Sequence, residues 1–506
     1  MDDTVPLGGW GTTIALGCGV LSLIYIYSSW SIRRLRKDGI SGPRGLPVLG
    51  SIPYVVRNGI MESEEGWIKQ YGDVFGWASG QQLNLIVKDP ALLKEVLIKD
   101  FAHFTNRGFI IGGHPIMTKH VFAAEGKAWK RIRAILSPTF STGKMKLMNE
   151  DINRCSKTLA GNLMEAAKTD KVINPKEYFG AFTMDVIAAT AFSLDIDSQT
   201  NEDDPFVRNA KRLFVPRRSF LYTFSLSTLF PPLKHLFSWL QMGFFSGEVV
   251  EFFIRTVKRM LQDRRQNPIT RKDFLQLMIN AELENTTENS DLISMNKTLS
   301  TDEIIASSVL FFIAGYETTA SLLQFSGYEL AVNPEIQERM FKEIQDTLGD
   351  AEPVYENIRQ LTYMEQVFYE VLRKYPPLNR LTREASEDRV INGITIRKGV
   401  RVVIPIYRIH HDPKFYPEPE VFNPERFADR AAQNSVTFLS FGFGPRICLG
   451  LRLAMMEAKI AMVHILRSVK FVTCADTQIP LQLRNRPGLT QPMQAIALKL
   501  ESRNSC

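Results

Sequence analysis

At 506 residues and 44% hydrophobic, the chain can bury a large core, and length alone would divide it into two or three domains. Its 61 Lys and Arg against 54 Asp and Glu leave a net charge of +7, which suits an acidic protein partner or an anionic membrane at least as well as nucleic acid, and no basic arm or zinc-finger spacing supports nucleic acid. The 5 cysteines are scattered and odd in number, which excludes a disulfide framework and favours a reducing compartment; among the 7 histidines there is no metal-binding pattern, since the neighbours His410 and His411 cannot share a helix face.

From Thr4 to Ile32 no residue is charged, and Leu, Ile, Val and Gly dominate, so residues 4–32 are long enough to cross a hydrocarbon layer of about 30 Å. Asp2 and Asp3 precede this stretch and Arg33, Arg34, Arg36 and Lys37 follow it, the reverse of a cleaved signal peptide. The basic flank assigns the rest of the chain to the cytosol. Residues 33–50 then form a basic, Pro- and Gly-rich connector, with Ser41-Gly-Pro-Arg-Gly-Leu-Pro-Val-Leu-Gly50 unable to continue a helix.

Leu83-Asn-Leu-Ile-Val87 and Val400-Arg-Val-Val-Ile404 alternate like short strands, but helical periodicity dominates. With no repeat and no second linker, residues 51–506 read as one large, mainly α domain with small β-sheets. Trp129-Lys-Arg-Ile-Arg133 sets an indole N–H and a guanidinium one turn apart, while Lys127, Lys130 and Arg131 read as a solvated basic face. Between Phe206 and Phe245 the residues Phe214, Phe220, Phe224, Phe230, Phe237 and Phe244 exceed what one helix face needs. The most polar stretch, Asn280 to Lys297, reads as a surface loop.

Ser300-Thr-Asp-Glu303 forms a capping box that starts a helix, and Asn333-Pro334 stops it; Val309 to Ala314, apolar all round, sends it through the molecular centre. Within it, Ala314-Gly-Tyr-Glu-Thr-Thr319 combines small residues with hydroxyls that bond a carbonyl one turn back, so a local distortion is expected there. Glu370 and Arg373 share a helix face closed by Pro376-Pro377, and Pro424-Glu-Arg-Phe427 follows. The sharpest feature is Phe441-Gly-Phe-Gly-Pro-Arg-Ile-Cys-Leu-Gly450: a tight turn, then a helix start whose free amides aim at the Cys448 sulfur and favour thiolate. It is not a dinucleotide fingerprint, because Ile447 stands where the third glycine belongs.

The loop resembles the haem-binding signature of the cytochrome P450 family, and the motifs at Trp129, Ala314 and Glu370 fall in the family's order over nearly the whole chain. The chain looks most similar to the animal microsomal members that oxidise drugs and steroids, a group that includes thromboxane synthase. The resemblance implies a single large helical domain behind a transmembrane helix, with haem b (iron protoporphyrin IX) between the central helix and the cysteine loop. Cys448 would be the axial ligand to iron, Arg446, Arg133, Trp129, Arg383 and Arg107 would hold the propionates, and Phe441 and Ala314 would border the ring. Thr318 and Glu317 would deliver protons during dioxygen activation, and Glu370, Arg373 and Arg426 would brace the haem-proximal side. Ile313, Leu378, Asn379, Thr382, Gly488 and Leu489 would line the substrate pocket under a roof formed by residues 206–245, whose apolar surface could dip into the membrane.

No dinucleotide fingerprint, P-loop or flavin domain is present, so electrons must come from another protein. The resemblance implies NADPH–cytochrome P450 reductase, assisted by cytochrome b5, docked on basic residues from Trp129 to Lys146 and on Arg452. It places the protein in the endoplasmic reticulum membrane with the catalytic domain on the cytosolic side. The expected activity is insertion of one atom of dioxygen into a lipophilic substrate of xenobiotic, steroid or fatty-acid type. The competing reading is a haem-thiolate isomerase or synthase of oxygenated lipids, against which Thr318 argues; a non-catalytic haem sensor would need no oxygen groove.

Overall fold

Helical periodicity in the sequence becomes a helical body with a small sheet at one side. The computed structural model describes residues 8–108, 114–201, 204–213, 226–227, 233, 236–237, 240, 243, 245–267, 273–283, 298–486 and 488–503. Helix α1 (Gly8–Lys37) runs straight through the basic flank, because neither Pro nor Gly interrupts it between Val20 and Lys37. Ile14, Leu16, Val20, Leu23, Tyr25 and Ile26 are exposed along it, whereas Leu35, near its end, is buried with Ile40 against the sheet. The connector that follows is no free linker: Gly76 N–H donates to Ser41 O and Ser51 N–H to Ala78 O, both at 2.8 Å, so residues 41–51 lie along the sheet edge.

That sheet has the order β1-β2-β6-β3, from β1 (Val74–Ser79), β2 (Gln82–Val87), β3 (Leu381–Glu384) and β6 (Arg401–Ile404). The expected strands at 83–87 and 400–404 are β2 and β6, each shifted by about one residue at an end, the ordinary fraying of boundaries. They pair in parallel, Asn84 opposite Arg401, and β3 adds antiparallel to β6, carrying Thr382 and Arg383 towards the interior. Two hairpin-like pairs, β4 (Arg389–Ile391) with β5 (Ile394–Ile396) and β7 (Val469–Val472) with β8 (Lys499–Ser502), complete the strands among the described residues.

The helices that position the site are α2 (Gly126–Leu136), α3 (Pro175–Phe192), α4 (Thr301–Val332), α5 (Thr362–Lys374) and α6 (Leu451–Ser468). Helix α4 begins at the expected capping box, with Ser300 Oγ accepting from Glu303 N–H at 3.3 Å and Glu303 Oε2 accepting from Ser300 N–H at 2.9 Å. It ends at Val332, where Pro334 starts another helix. It is buried along almost its whole length against α3, α5 and α6; a Cβ on Gly315 would sit 3.0 Å from Ile187, so the two helices touch at backbone range there.

Two expectations are corrected here. Arg131 is not solvated: it pairs in a fork with Glu303, Nη1 to Oε2 at 3.1 Å, and also donates to Thr298 O, tying α2 to the start of α4. The stretch 280–297 is not loop throughout, because a helix, Phe274–Leu283, takes up Asn280 to Leu283; the remainder, 284–297, lies outside the described residues. Of the six phenylalanines in the segment expected to roof the pocket, only Phe237 is described, while Phe206 packs edge-on against Phe253 and Phe312, the core packing expected for most phenylalanines of that segment.

Burial pushes the Glu303 carboxyl up, but the hydrogen bonds from Arg131 and from Ser300 N–H outweigh it and hold the group below its ordinary value of 4.5. A depressed carboxylate contributes stability that is complete above its unfolded value and is lost as pH falls through the folded one. The thermal midpoint of the protein should therefore drop on acidification below about pH 4.5, and Glu303→Gln, which loses about 1–3 kcal/mol at neutral pH, should show a flatter acid dependence in the same scan; parallel curves for the two proteins would refute the role given to Glu303.

Candidate active site

The chain enters the cysteine loop through a turn closed by Gly442 N–H to Leu439 O at 2.8 Å, and Cys448 N–H donates to Phe441 O at 2.8 Å. Gly442 and Gly444 both have φ of +74°, a region that costs any L side chain, and a Cβ on Gly444 would strike Leu97 O. The loop thus lies directly on the segment 95–99. The amides of Gly450 and Leu451, at the start of α6, hydrogen-bond towards the Cys448 sulfur. Burial nevertheless raises the Cys448 thiol above its ordinary value; those amides and the charges of Arg133 and Arg107 only lessen the rise. The amides thus favour thiolate as expected, while burial opposes them. The Cys448 side chain is accessible although protein surrounds it densely, so it faces an interior space rather than bulk solvent.

Around this thiol converge Arg107, Arg133, Arg383 and Arg446, residues separated by up to hundreds of positions in the chain. Arg107, Arg383 and Arg446 are each pushed down to about 9, first by burial and then by one another's charges; Arg133 is lowered by burial and supported by Cys448. None pairs with a carboxylate within 4.0 Å among the described residues, and the Nε atoms of Arg107, Arg383 and Arg446 have no hydrogen-bond partner. Their other contacts hold them in place: Arg446 donates to Phe122 O and Ala124 O and lies 4.4 Å over the Trp129 ring, Arg107 lies 3.8 Å over Phe122, and Arg383 donates to Thr382 O. Trp129 is itself buried and edge-on to Phe101.

Helix α4 supplies a second accessible surface. Ala314 is exposed and Leu310, Gly315 and Thr318 are half-exposed, one face of a helix otherwise buried, so this face too borders interior space. The expected distortion does not break the helix, which is α throughout; Thr318 Oγ1 donates to Ala314 O at 2.7 Å within an intact ladder. Glu317 points elsewhere: its carboxylate is buried and paired with Lys176 of α3 at 3.0 Å. Lys176 had no signal in the sequence, since its partner lies 141 positions away. Ile313 is buried. Glu457 of α6 was likewise missed; it is buried, held far above the carboxylate range by burial, and relieved only by a hydrogen bond from Thr319.

Thr382 Oγ1 donates to Arg107 O at 2.8 Å, which ties β3 to the arginine group. Leu378 bridges Leu489, and Asn379 is buried with its side chain fully engaged, donating to Arg486 O at 2.6 Å and accepting from Gly488 N–H at 3.0 Å. Asn379 is therefore a staple between two chain segments rather than a free polar group in a pocket. Behind the cysteine loop, Glu370 receives two bonds from Arg373 at 2.7 and 2.8 Å and one from Asn423 N–H, with Arg426 Nε at 3.4 Å. Arg373 also donates to His410 O and Pro419 O, so the fully buried Glu370–Arg373 pair is satisfied, while Arg426 at its rim donates to Glu418 O and keeps its Nε without a hydrogen bond.

The arginines near Cys448 have no such satisfaction, and they fit a flat group that brings two carboxylates and a metal able to take sulfur. Haem b is such a group. A family model described as Cytochrome P450 matches residues 40–500. Among curated proteins, the chain is 41% identical over 507 residues to cytochrome P450 3A9 of Rattus norvegicus, 40% over 508 to cytochrome P450 3A29 of Sus scrofa and 39% over 510 to cytochrome P450 3A5 of Homo sapiens, with 99% of each chain covered.

Because Arg373 and Arg426 share Glu370, Glu370→Gln should leave buried positive charge unmatched and cost about 3–5 kcal/mol, read as a lower denaturant midpoint or loss of soluble protein. A loss below about 1 kcal/mol, the range of surface pairs, would show that the network is not structural.

Proposed function

The chain belongs to the cytochrome P450 family, and from that premise we propose a membrane-anchored enzyme that inserts one atom of dioxygen into lipophilic molecules of xenobiotic, steroid or fatty-acid type. It is a monooxygenase with haem b as cofactor. The observation that carries the site assignment is the meeting of Cys448 with the buried Arg383 and Arg446 and the half-exposed Arg107 and Arg133, none of which has a carboxylate partner among the described residues. Bound haem supplies dioxygen activation, its thiolate ligand pushing electron density that favours O–O cleavage.

The chain's own residues do the rest. Cys448 Sγ is steadied by the amides of Gly450 and Leu451, which tune a bound thiolate without displacing it. Arg107, Arg133, Arg383 and Arg446 hold the two carboxylates, and their cation–π and backbone contacts fix them beforehand. Ala314 leaves room at the face of α4, and Thr318 Oγ1 holds a proton there. Glu317 and the partly exposed Lys176 form the polar link from that region towards the surface. Ile313, Leu378 and Leu489 offer apolar contact to substrate.

The exposed apolar side of α1 followed by Arg34, Arg36 and Lys37 supports an anchor in the endoplasmic reticulum membrane with the catalytic domain on the cytosolic side. Lys127 and Lys130 are exposed, Lys144 is half-exposed, and none of them forms an ion pair among the described residues, which supports docking of an acidic reductase and of cytochrome b5. Arg452 contributes less, being held by Thr142 and Tyr355.

The decisive experiment compares the reduced, carbon-monoxide-bound spectra of the parent, Cys448→Ser and Thr318→Ala. The parent and Thr318→Ala should show the thiolate-type Soret band and Cys448→Ser should not, while Thr318→Ala should form severalfold less product per NADPH, with peroxide released instead. Conversion of a lipid endoperoxide without NADPH or dioxygen, and no hydroxylation of any substrate, would replace this reading by that of an isomerase.

Reductase-supported turnover should fall as salt is raised, since docking of exposed lysines on an acidic surface is screened over about 8 Å at physiological ionic strength. A rate unchanged through several-fold higher salt would remove the electrostatic docking.

A further inference from the structure

His410, which the sequence dismisses as a metal ligand, sits at the end of a short helix, Ile406–His410, and is completely buried. Its Nδ1 lies 2.9 Å from Arg373 O and its Nε2 lies 2.9 Å from Leu439 N. Leu439 N–H has only a proton to offer, so Nε2 accepts it, and Nδ1 therefore carries the ring proton and donates to Arg373 O. In return Arg373 Nη1 donates to His410 O at 2.8 Å, a reciprocal pair between the brace and the histidine. The ring is stacked on Phe438, 5.5 Å between centroids at 2°, and Phe438 is packed edge-on by Tyr369 and Phe427.

From Leu439 the contacts lead straight into the ligand loop. Leu439 O accepts from Gly442 N–H, Ser440 Oγ donates to Leu372 O at 2.5 Å, and Phe441 O accepts from Cys448 N–H. Leu439 is itself fully buried, so without the imidazole its amide would be an orphaned donor at the root of the loop.

We propose that His410 is a positioning residue, a side chain through which the Glu370–Arg373 brace sets the register of the Cys448 loop. The proposal rests on the haem-thiolate reading above. Its requirement is specific: an acceptor at the Nε2 position. Burial holds the ring well below its ordinary value and so keeps it neutral, as that requirement demands.

The test uses the full-length enzyme carrying haem. Gln reaches the Nε2 position and can accept from Leu439 N–H; Asn reaches only the Nδ1 position and cannot. In His410→Gln the reduced carbon monoxide complex should keep the parent's thiolate-type band and the parent's haem reduction potential. In His410→Asn the fraction of complex lacking that band should rise roughly tenfold, the factor that corresponds to one orphaned buried donor, and the potential should move with it. Failure of His410→Asn to hold haem while His410→Gln holds it also supports the role. A folded His410→Asn with the parent's spectrum and potential overturns it, as does an equal loss in both variants, which would make the histidine a packing residue only. Failure of the haem-thiolate reading itself is separate, because it would show in the parent spectrum.

Discussion

The interior of this protein is organised round an unbalanced charge. Four arginines from the segment after the 95–103 helical turns, from α2, from β3 and from the cysteine loop, two of them buried and two half-exposed, lie within electrostatic range of one another, and their like charges repel. A fold tolerates such a cluster only where something anionic belongs. The contrast with Arg373 is instructive: that side chain is just as buried, yet every direction in which its guanidinium points ends on a carboxylate or a carbonyl.

Cys448 carries the complementary imbalance. Its thiol is raised by burial, while two amides and two cations work the other way. Coordination to a metal deprotonates a thiol outright. One planar group bearing a metal and two carboxylates therefore removes both imbalances, and its binding energy becomes folding energy for the site. The Glu370–Arg373 pair, satisfied by its own bonds, lies behind the loop and braces it.

Much of this was legible in the sequence where the signal is local. The limits of α4 follow from a capping box and a proline, and Arg133, Arg446 and the Glu370–Arg373 spacing sit inside short motifs. Arg107 and Arg383 entered only through family resemblance, since nothing near them in the chain announces a shared destination. Lys176, Glu457 and His410 were not identified, because each acquires its meaning from a partner on another helix or loop. The misreadings have one cause: Arg131, the connector at 41–51 and Asn379 look like surface or pocket groups in sequence, and tertiary contacts turn each into a fastening. At the cysteine loop the sequence shows the amides that favour thiolate but not the desolvation that opposes them.

Helix α2 explains how the two accessible faces are kept at a defined separation. Arg131 and Arg133 are two residues apart, about 200° round a helix, and therefore leave α2 on nearly opposite sides. Arg131 grips Glu303 at the start of α4, while Arg133 is within electrostatic reach of Cys448. A third residue of the same helix, Trp129, supports Arg446 of the cysteine loop from below. A single short helix thus touches the helix that bears Thr318 and the loop that bears Cys448, and it does so through charges of fixed sign. Shifting α2 along its axis would strain both attachments together, so α2 is one of the elements that hold the oxygen-side helix and the ligand loop at their separation.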